Sequence, residues 1–167
     1  MYDPLTQLPE RTLLMDRLQQ AIAFAHRRLS RIAVLCLSVE GYDALLAQQG
    51  RAVAESYLTK VALRIRTALR EGDTIARLAE DNAFVLILND LPDLQACEPT
   101  IDRLLAAIES TVVLDELVLP VNIRIGLTVF PQEQEHQAEV LLEQAEHALR
   151  QARSSGGNAV EYFAVLD

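Results

Sequence analysis

The amino-acid sequence predicts an α+β domain with a central, mostly antiparallel sheet flanked by helices. Segments of helical period alternate with short apolar runs, so helices and strands are interleaved along the chain. Two strand candidates, 74–78 and 83–88, are separated only by Ala79 to Asn82, which is hairpin spacing and implies an antiparallel pair. The other strands are separated by helices. Hairpins and crossovers thus share one sheet, with helices on its faces.

Leu13, Leu14, Arg17, Leu18, Ala21 and Ala25 recur at three- or four-residue steps and predict an amphipathic helix over about 9–29. Arg31 to Leu37 is a short apolar run, the pattern of a buried central strand. A short helix from Tyr42 to Gln48 is predicted to stop at Gly50. Ala54, Tyr57, Leu58, Val61, Ile65 and Ala68 then build one face of a longer helix. Arg70-Glu71-Gly72-Asp73 breaks that pattern ahead of the hairpin. Ile101, Leu104, Leu105 and Ile108 mark another helix, with Cys97 before it in a loop. Over 121–129, Val121, Ile123, Ile125, Leu127 and Val129 alternate with Asn122, Arg124, Gly126 and Thr128, as in a strand. Leu141, Ala145, Ala148, Leu149 and Ala152 give a last helix closing near Gly156-Gly157, and a short strand is expected over 160–163.

The 167 residues suit a single domain, 1–167, with a sizeable core. The abrupt start, Met1-Tyr2-Asp3-Pro4, reads as a domain taken from a longer polypeptide and lacks signal-peptide character. Half of the residues are hydrophobic, which argues against disorder, and no run approaches the roughly 18–20 apolar residues of a membrane span. Fifteen basic against 24 acidic residues give a net charge of −9, which argues against nucleic acid or an anionic membrane as partner. The two cysteines, Cys36 and Cys97, lack metal-type spacing and read as reduced thiols, consistent with a cytoplasmic location.

Four segments in order carry a resemblance. Asp3 to Arg11 (DPLTQLPER) resembles the DPLTGLPNR opening of the GGDEF family of diguanylate cyclases. Arg77-Leu78-Ala79-Glu80-Asp81-Asn82-Ala83 stands in register with the family's RxGGDEF, and Arg124 to Thr128 stands at its SIGIA strand. Leu141 to Asn158 resembles its closing LLxxADxALYxAKxxGRN. The resemblance implies a nucleotidyl-cyclase-like palm. It also implies a reaction in which two facing domains join two GTP molecules into cyclic di-GMP with the help of two metal ions held by carboxylates.

The residues at the implied site depart from that pattern. Ser38 stands at a metal-binding Asp, Asp43 at a phosphate-facing Lys, and Leu46 at a guanine-contacting Asn. Ala79 and Glu80 replace the two signature glycines, and Asn82 replaces a metal-binding acid, followed by Ala83. Asp81 is retained, and Glu55 and Arg153 remain as nucleotide-binding candidates, while Gly157 replaces an Arg. The resemblance also implies an inhibitory RxxD site for the product, matched in spacing by Arg70 and Asp73. The bland alternative is a charged helix exit turned by Gly72.

These residues predict a non-catalytic regulatory domain that acts on a neighbouring domain, of EAL phosphodiesterase type by resemblance, through nucleotide binding or dimerisation. Expected partners are cyclic di-GMP or GTP, a second copy, or neighbouring domains of the same chain. No cofactor is expected, with magnesium only for residual activity. One alternative is a slow cyclase in which vestigial Asp81 and Glu40 hold a single metal. The other is a protein-interaction module without ligand. Several further features read as structural: His26, Arg27, Arg28 and Arg31 as a solvated helix end, His136 and His147 as non-ligating, and Tyr42 and Phe84 as packing residues. Glu133, Glu135, Glu139, Glu143 and Glu146 read as an exposed face.

Overall fold

The computed structural model describes residues 1–79, 82–154 and 156–164, so Glu80 and Asp81 lie outside the described residues. In chain order the elements are α1 (Arg11–Arg28), β1 (Arg31–Val39), α2 (Tyr42–Gln49), α3 (Arg51–Ala68), β2 (Thr74–Leu78), β3 (Ala83–Leu91) and α4 (Cys97–Ile108). They continue with β4 (Val112–Leu114), β5 (Leu117–Leu119), β6 (Ile123–Phe130), α5 (Ala138–Arg153) and β7 (Val160–Tyr162). The main sheet runs β2-β3-β1-β6-β7, antiparallel except for the parallel β6–β7 pair.

β1 lies at the centre because its side chains are apolar on both faces, which only a strand covered on both sides can accommodate. Ala33, Leu35, Leu37 and Val39 enter one core with Tyr57, Leu58, Val61 and Ile65 of α3 and the buried side of α4. Ile32, Val34 and Cys36 point the other way, to Leu14 and Leu18 of α1 and Leu141, Leu142 and Ala145 of α5. The two-residue side-chain period of a strand therefore generates a three-layer domain. Each fully buried Leu or Ile in these layers contributes about 1.5–3 kcal/mol. Phe84 is fully buried and Tyr42 packs against the first core, as their packing role requires.

α5 is pressed directly onto β6. A Cβ on Gly126 would fall 2.0 Å from the Leu149 backbone nitrogen, so only glycine permits this approach. A closed network of Thr128, Gln132 and Gln144 fixes the same helix, with the Thr128 hydroxyl donating to Gln144 Oε1 at 2.7 Å.

Three expectations need correction. Cys97 is the first residue of α4 and fully buried, not a loop residue. Pro99 in the first turn does not break the helix, since an N–H there has no intrahelical partner to lose. The strand expected from 121 begins at Ile123, and a separate hairpin, β4–β5, precedes it, with Val113 opposite Val118. The basic end of α1 is exposed at His26, Arg27 and Arg28, as expected of a solvated helix end. Arg31 donates to the Pro92 carbonyl at 2.8 Å, and the His26 ring meets the Phe130 ring edge-on. Of the acidic set, Glu146 is half-buried and lies 3.8 Å from Arg11.

Candidate functional site

β1 ends on Ser38-Val39, and the chain turns through Glu40 and Gly41 into α2. The Glu40 backbone N–H donates to the Asn122 carbonyl at 2.8 Å, which fixes that turn beside the approach to β6. Ser38 pairs with Ala83 of β3 on one side and Arg124 of β6 on the other. The base of the signature hairpin therefore lies beside the end of β1, as the implied site requires. A cavity of about 340 Å³ opens there, lined by Ser38, Glu40, Tyr42, Asp43, Asn82 and Arg153 among others.

The fold brings five of the site residues read from the sequence, Ser38, Glu40, Asp43, Asn82 and Arg153, to this cavity and leaves Leu46 and Glu55 off its lining. Ser38, Glu40, Asn82 and Arg153 come together although they span 115 residues of chain (153 − 38). Glu55 sits on α3, 3.7 Å from Arg51 one helical turn earlier, and is not among the residues lining the cavity. Leu46 is part-exposed on α2. Arg150, which no motif pointed to, shares a second cavity of about 300 Å³ on the α5 side with Ser38, Arg153 and Glu146. Its one sequence signal was its place three residues before Arg153 on a helix, which puts both on one face.

The charges in the cleft are arranged against each other. Arg153 Nε donates to Glu40 Oε1 at 3.1 Å, so the arginine holds a carboxylate of the opposite wall. Ser38 is 3% exposed and its hydroxyl has no hydrogen-bond partner among the described residues. Gly157 follows the helix so closely that a Cβ there would fall 2.4 Å from the Ala152 carbonyl oxygen, and its own carbonyl accepts from Arg124 at 3.1 Å. The backbone at 157 thus has no room for a side chain. Among the described residues no three His, Cys, Asp or Glu side chains converge as metal ligands. Among the described residues, the neutral Ser38 hydroxyl, the neutral Asn82 amide and a Glu40 carboxylate held by Arg153 are poorer ligands for a hard divalent cation than free carboxylates.

The 70–73 turn lies at the other end of the β2–β3 pair and has a different character. The Asp73 carboxylate is 1% exposed and accepts from the Arg70 backbone N–H at 3.1 Å and from its guanidinium at 3.2 and 3.3 Å. It also accepts the Asn89 backbone N–H at 3.0 Å, while Arg70 donates to the Asn89 carbonyl and the Asn89 amide donates to the Gly72 carbonyl. Asn89 can do this because the β1–β3 register slips there, with Arg31 opposite Leu91 but Ala33 opposite Leu88, and Asp90 at φ 52°. The turn is a clasp onto a bulged strand. A groove of about 770 Å³ between α1 and this turn is lined by Arg17, Phe24, Arg27, Glu71, Asp73 and Asp90 among others.

A third charged contact ties the N-terminal turn to β2. Arg77 NH1 reaches Asp3 Oδ2 at 3.0 Å with both side chains buried, and Asp3 Oδ2 also accepts the Thr6 backbone N–H and hydroxyl. Burial alone would raise the Asp3 pKa, but the Thr6 hydrogen bonds and the Arg77 guanidinium hold it below the ordinary 3.8. Arg77 opens the signature segment, so this contact joins the opening motif to the signature. The family model described as "Diguanylate cyclase, GGDEF domain" matches residues 1–159.

The chain belongs to the GGDEF family. Among curated relatives it is 32% identical over 163 residues to the bifunctional diguanylate cyclase/cyclic di-GMP phosphodiesterase MucR of Pseudomonas aeruginosa, covering 98% of this chain and 23% of MucR. It is 30% identical over 159 residues to the diguanylate cyclase TpbB of the same organism, covering 92% of this chain and 36% of TpbB. A solved structure comprising only the GGDEF domain of TpbB superimposes with a TM-score of 0.88 at 25% identity, covering 98% of this chain and 95% of that one. The chain thus spans about a quarter to a third of the length of these two curated relatives. Among the described residues, no helix is long and apolar enough to cross a membrane.

Proposed function

We propose that this GGDEF domain is a regulatory, non-catalytic unit of cyclic di-GMP signalling. The observation that carries the reading is Ser38: at the end of β1, where the chemistry calls for a metal-binding carboxylate, stands a buried neutral hydroxyl without a hydrogen-bond partner among the described residues. Joining two nucleoside triphosphates needs cations to offset phosphate charge, and losing one such contact reduces rate tenfold for each 1.36 kcal/mol of lost transition-state stabilisation. The Glu40–Arg153 pair supports the same reading, since it places the two charges against each other instead of on a nucleotide. Arg70 and Asp73 are each other's partners in the clasp, so product binding there requires that clasp to open.

The domain acts on its partner, a second copy or a neighbouring domain of phosphodiesterase type, through ligand occupancy or association. MucR, whose name joins cyclase and phosphodiesterase, supports such a neighbour. The test is incubation of the purified chain with GTP and magnesium, followed by measurement of cyclic di-GMP. No product is expected, and turnover that disappears in Asp81→Ala would overturn the reading. Calorimetric titration with GTP and with cyclic di-GMP then separates a ligand-reading domain from one that works by protein contact alone.

A further inference from the structure

We propose that the end of the domain around Leu29, between the close of α1 and the end of β6, is a docking surface for a second copy of this chain. The proposal rests on the association arm of the regulatory reading and names the surface that serves it. This end lies away from the cleft, because β1 rises about 23 Å from Arg31 at its start to Ser38.

Three features converge there. Leu29 closes α1 in the left-handed region, at φ 52°, where glycine or asparagine is the usual residue. Its side chain is 91% exposed, so the fold gains almost no packing from a leucine whose backbone is unfavourable. Beside it opens an apolar notch of about 150 Å³, lined by Ala25, His26, Ser30, Phe130 and Pro131 among others, with room for one aliphatic side chain. Within that lining, Ser30 Oγ is buried and has no hydrogen-bond partner among the described residues.

A second copy supplies what this surface lacks. In a two-fold contact one patch meets itself, so a protruding side chain beside a notch is matched by a notch beside a protruding side chain. Each Leu29 enters the other copy's notch, and the inserted turn brings backbone carbonyls to which the Ser30 hydroxyl can donate. The charges of the rim are complementary under the same symmetry. The α1 wall of the notch continues into exposed Arg27 and Arg28, and the Phe130–Pro131 wall continues into exposed Glu133 and Glu135. Glu135 already lies 3.8 Å from His26 of its own chain, so carboxylates of this rim do approach the basic end of α1. In a chain of net charge −9, such local pairing lets two copies approach. The patch is small, and the dimer is correspondingly weak. Two copies joined here carry their clefts at opposite outer ends, so this association excludes the facing arrangement that joining two GTP molecules requires.

Sedimentation equilibrium of the chain between about 10 μM and 1 mM tests the surface, with a reversible monomer–dimer equilibrium expected. Leu29→Gly removes the side chain at a position where glycine is favoured, so the fold is kept. It is expected to raise Tm while weakening the dimer about tenfold. Arg28→Glu and Glu135→Arg are each expected to weaken self-association about fivefold, and a mixture of the two variants to recover it, because each then meets its opposite charge. A chain that is monomeric at every concentration leaves the notch to a different occupant and overturns the proposal. So does a dimer that Leu29→Gly leaves unchanged, or a mixture that associates no better than either variant alone. A monomer leaves the regulatory reading standing through ligand occupancy, whereas GTP turnover sinks that reading and not this surface, so either can fail alone.

Discussion

The edge of the sheet formed by the N-terminal turn, β2 and β3 and the cleft at the end of β1 are both built around charged motifs, with opposite outcomes. At the edge, Asp3 and Asp73 are buried to within a few per cent and surrounded by donors, so their charges hold the fold together. In the cleft, Glu40 and Arg153 touch through one exposed contact, and the Ser38 hydroxyl has no hydrogen-bond partner among the described residues. The better-preserved motif, Arg70–Asp73, is thus the more fully committed to structure, and the degenerate site is the one with open capacity. An intact motif is no guide to availability when its own members satisfy each other.

The sharpest way to break this comparison is to remove a buried charge at the edge. Asp3→Ala leaves Arg77 buried without its counter-ion and is expected to cost about 3–5 kcal/mol in urea unfolding. Asp73→Ala strands the Asn89 and Arg70 donors and is expected to cost about 2–3 kcal/mol. If both cost less than about 1 kcal/mol, the edge is no more structural than the cleft.

Acid offers a third probe. The Asp3 pKa lies lower in the folded chain than its ordinary 3.8, so the unfolded chain binds the proton more readily. The stability it contributes is complete above the ordinary value and is lost as pH falls through the folded value. The urea midpoint of the native chain should therefore drop more steeply below about pH 4 than that of Asp3→Asn. Parallel profiles would remove Asp3 from the account. The smallest effect belongs to the cleft: Glu40→Gln is expected to change stability by less than about 1 kcal/mol. A larger loss there would mean that the cleft, too, is a structural clasp.

Much of the fold was legible because its signals are local. The α3 face, the continuous run of β1 and the alternation in β6 each fix an element by period and burial alone. The β4–β5 hairpin left a weaker trace, since Val112-Val113-Leu114 and Leu117-Val118-Leu119 are only three residues each around Asp115-Glu116. Asp115 at φ 53° makes that turn without the glycine that usually marks one. The start of α4 was hidden by Pro99, a breaker inside a helix but neutral in its first turn.

The sequence by itself determined the family, the layered α+β architecture and the chemical departures at the site, because residue identity fixes charge, size and hydrogen-bonding capacity wherever the residue lies. Only the tertiary structure decided which charges meet. Asp3 and Arg77 are 74 residues apart, and Glu40 and Arg153 are 113 apart. Ser38 becomes an unpartnered hydroxyl only because β3, β6 and α5 close around it. Pairing and desolvation depend on distances of a few ångströms between remote segments, and no local pattern in the chain encodes them.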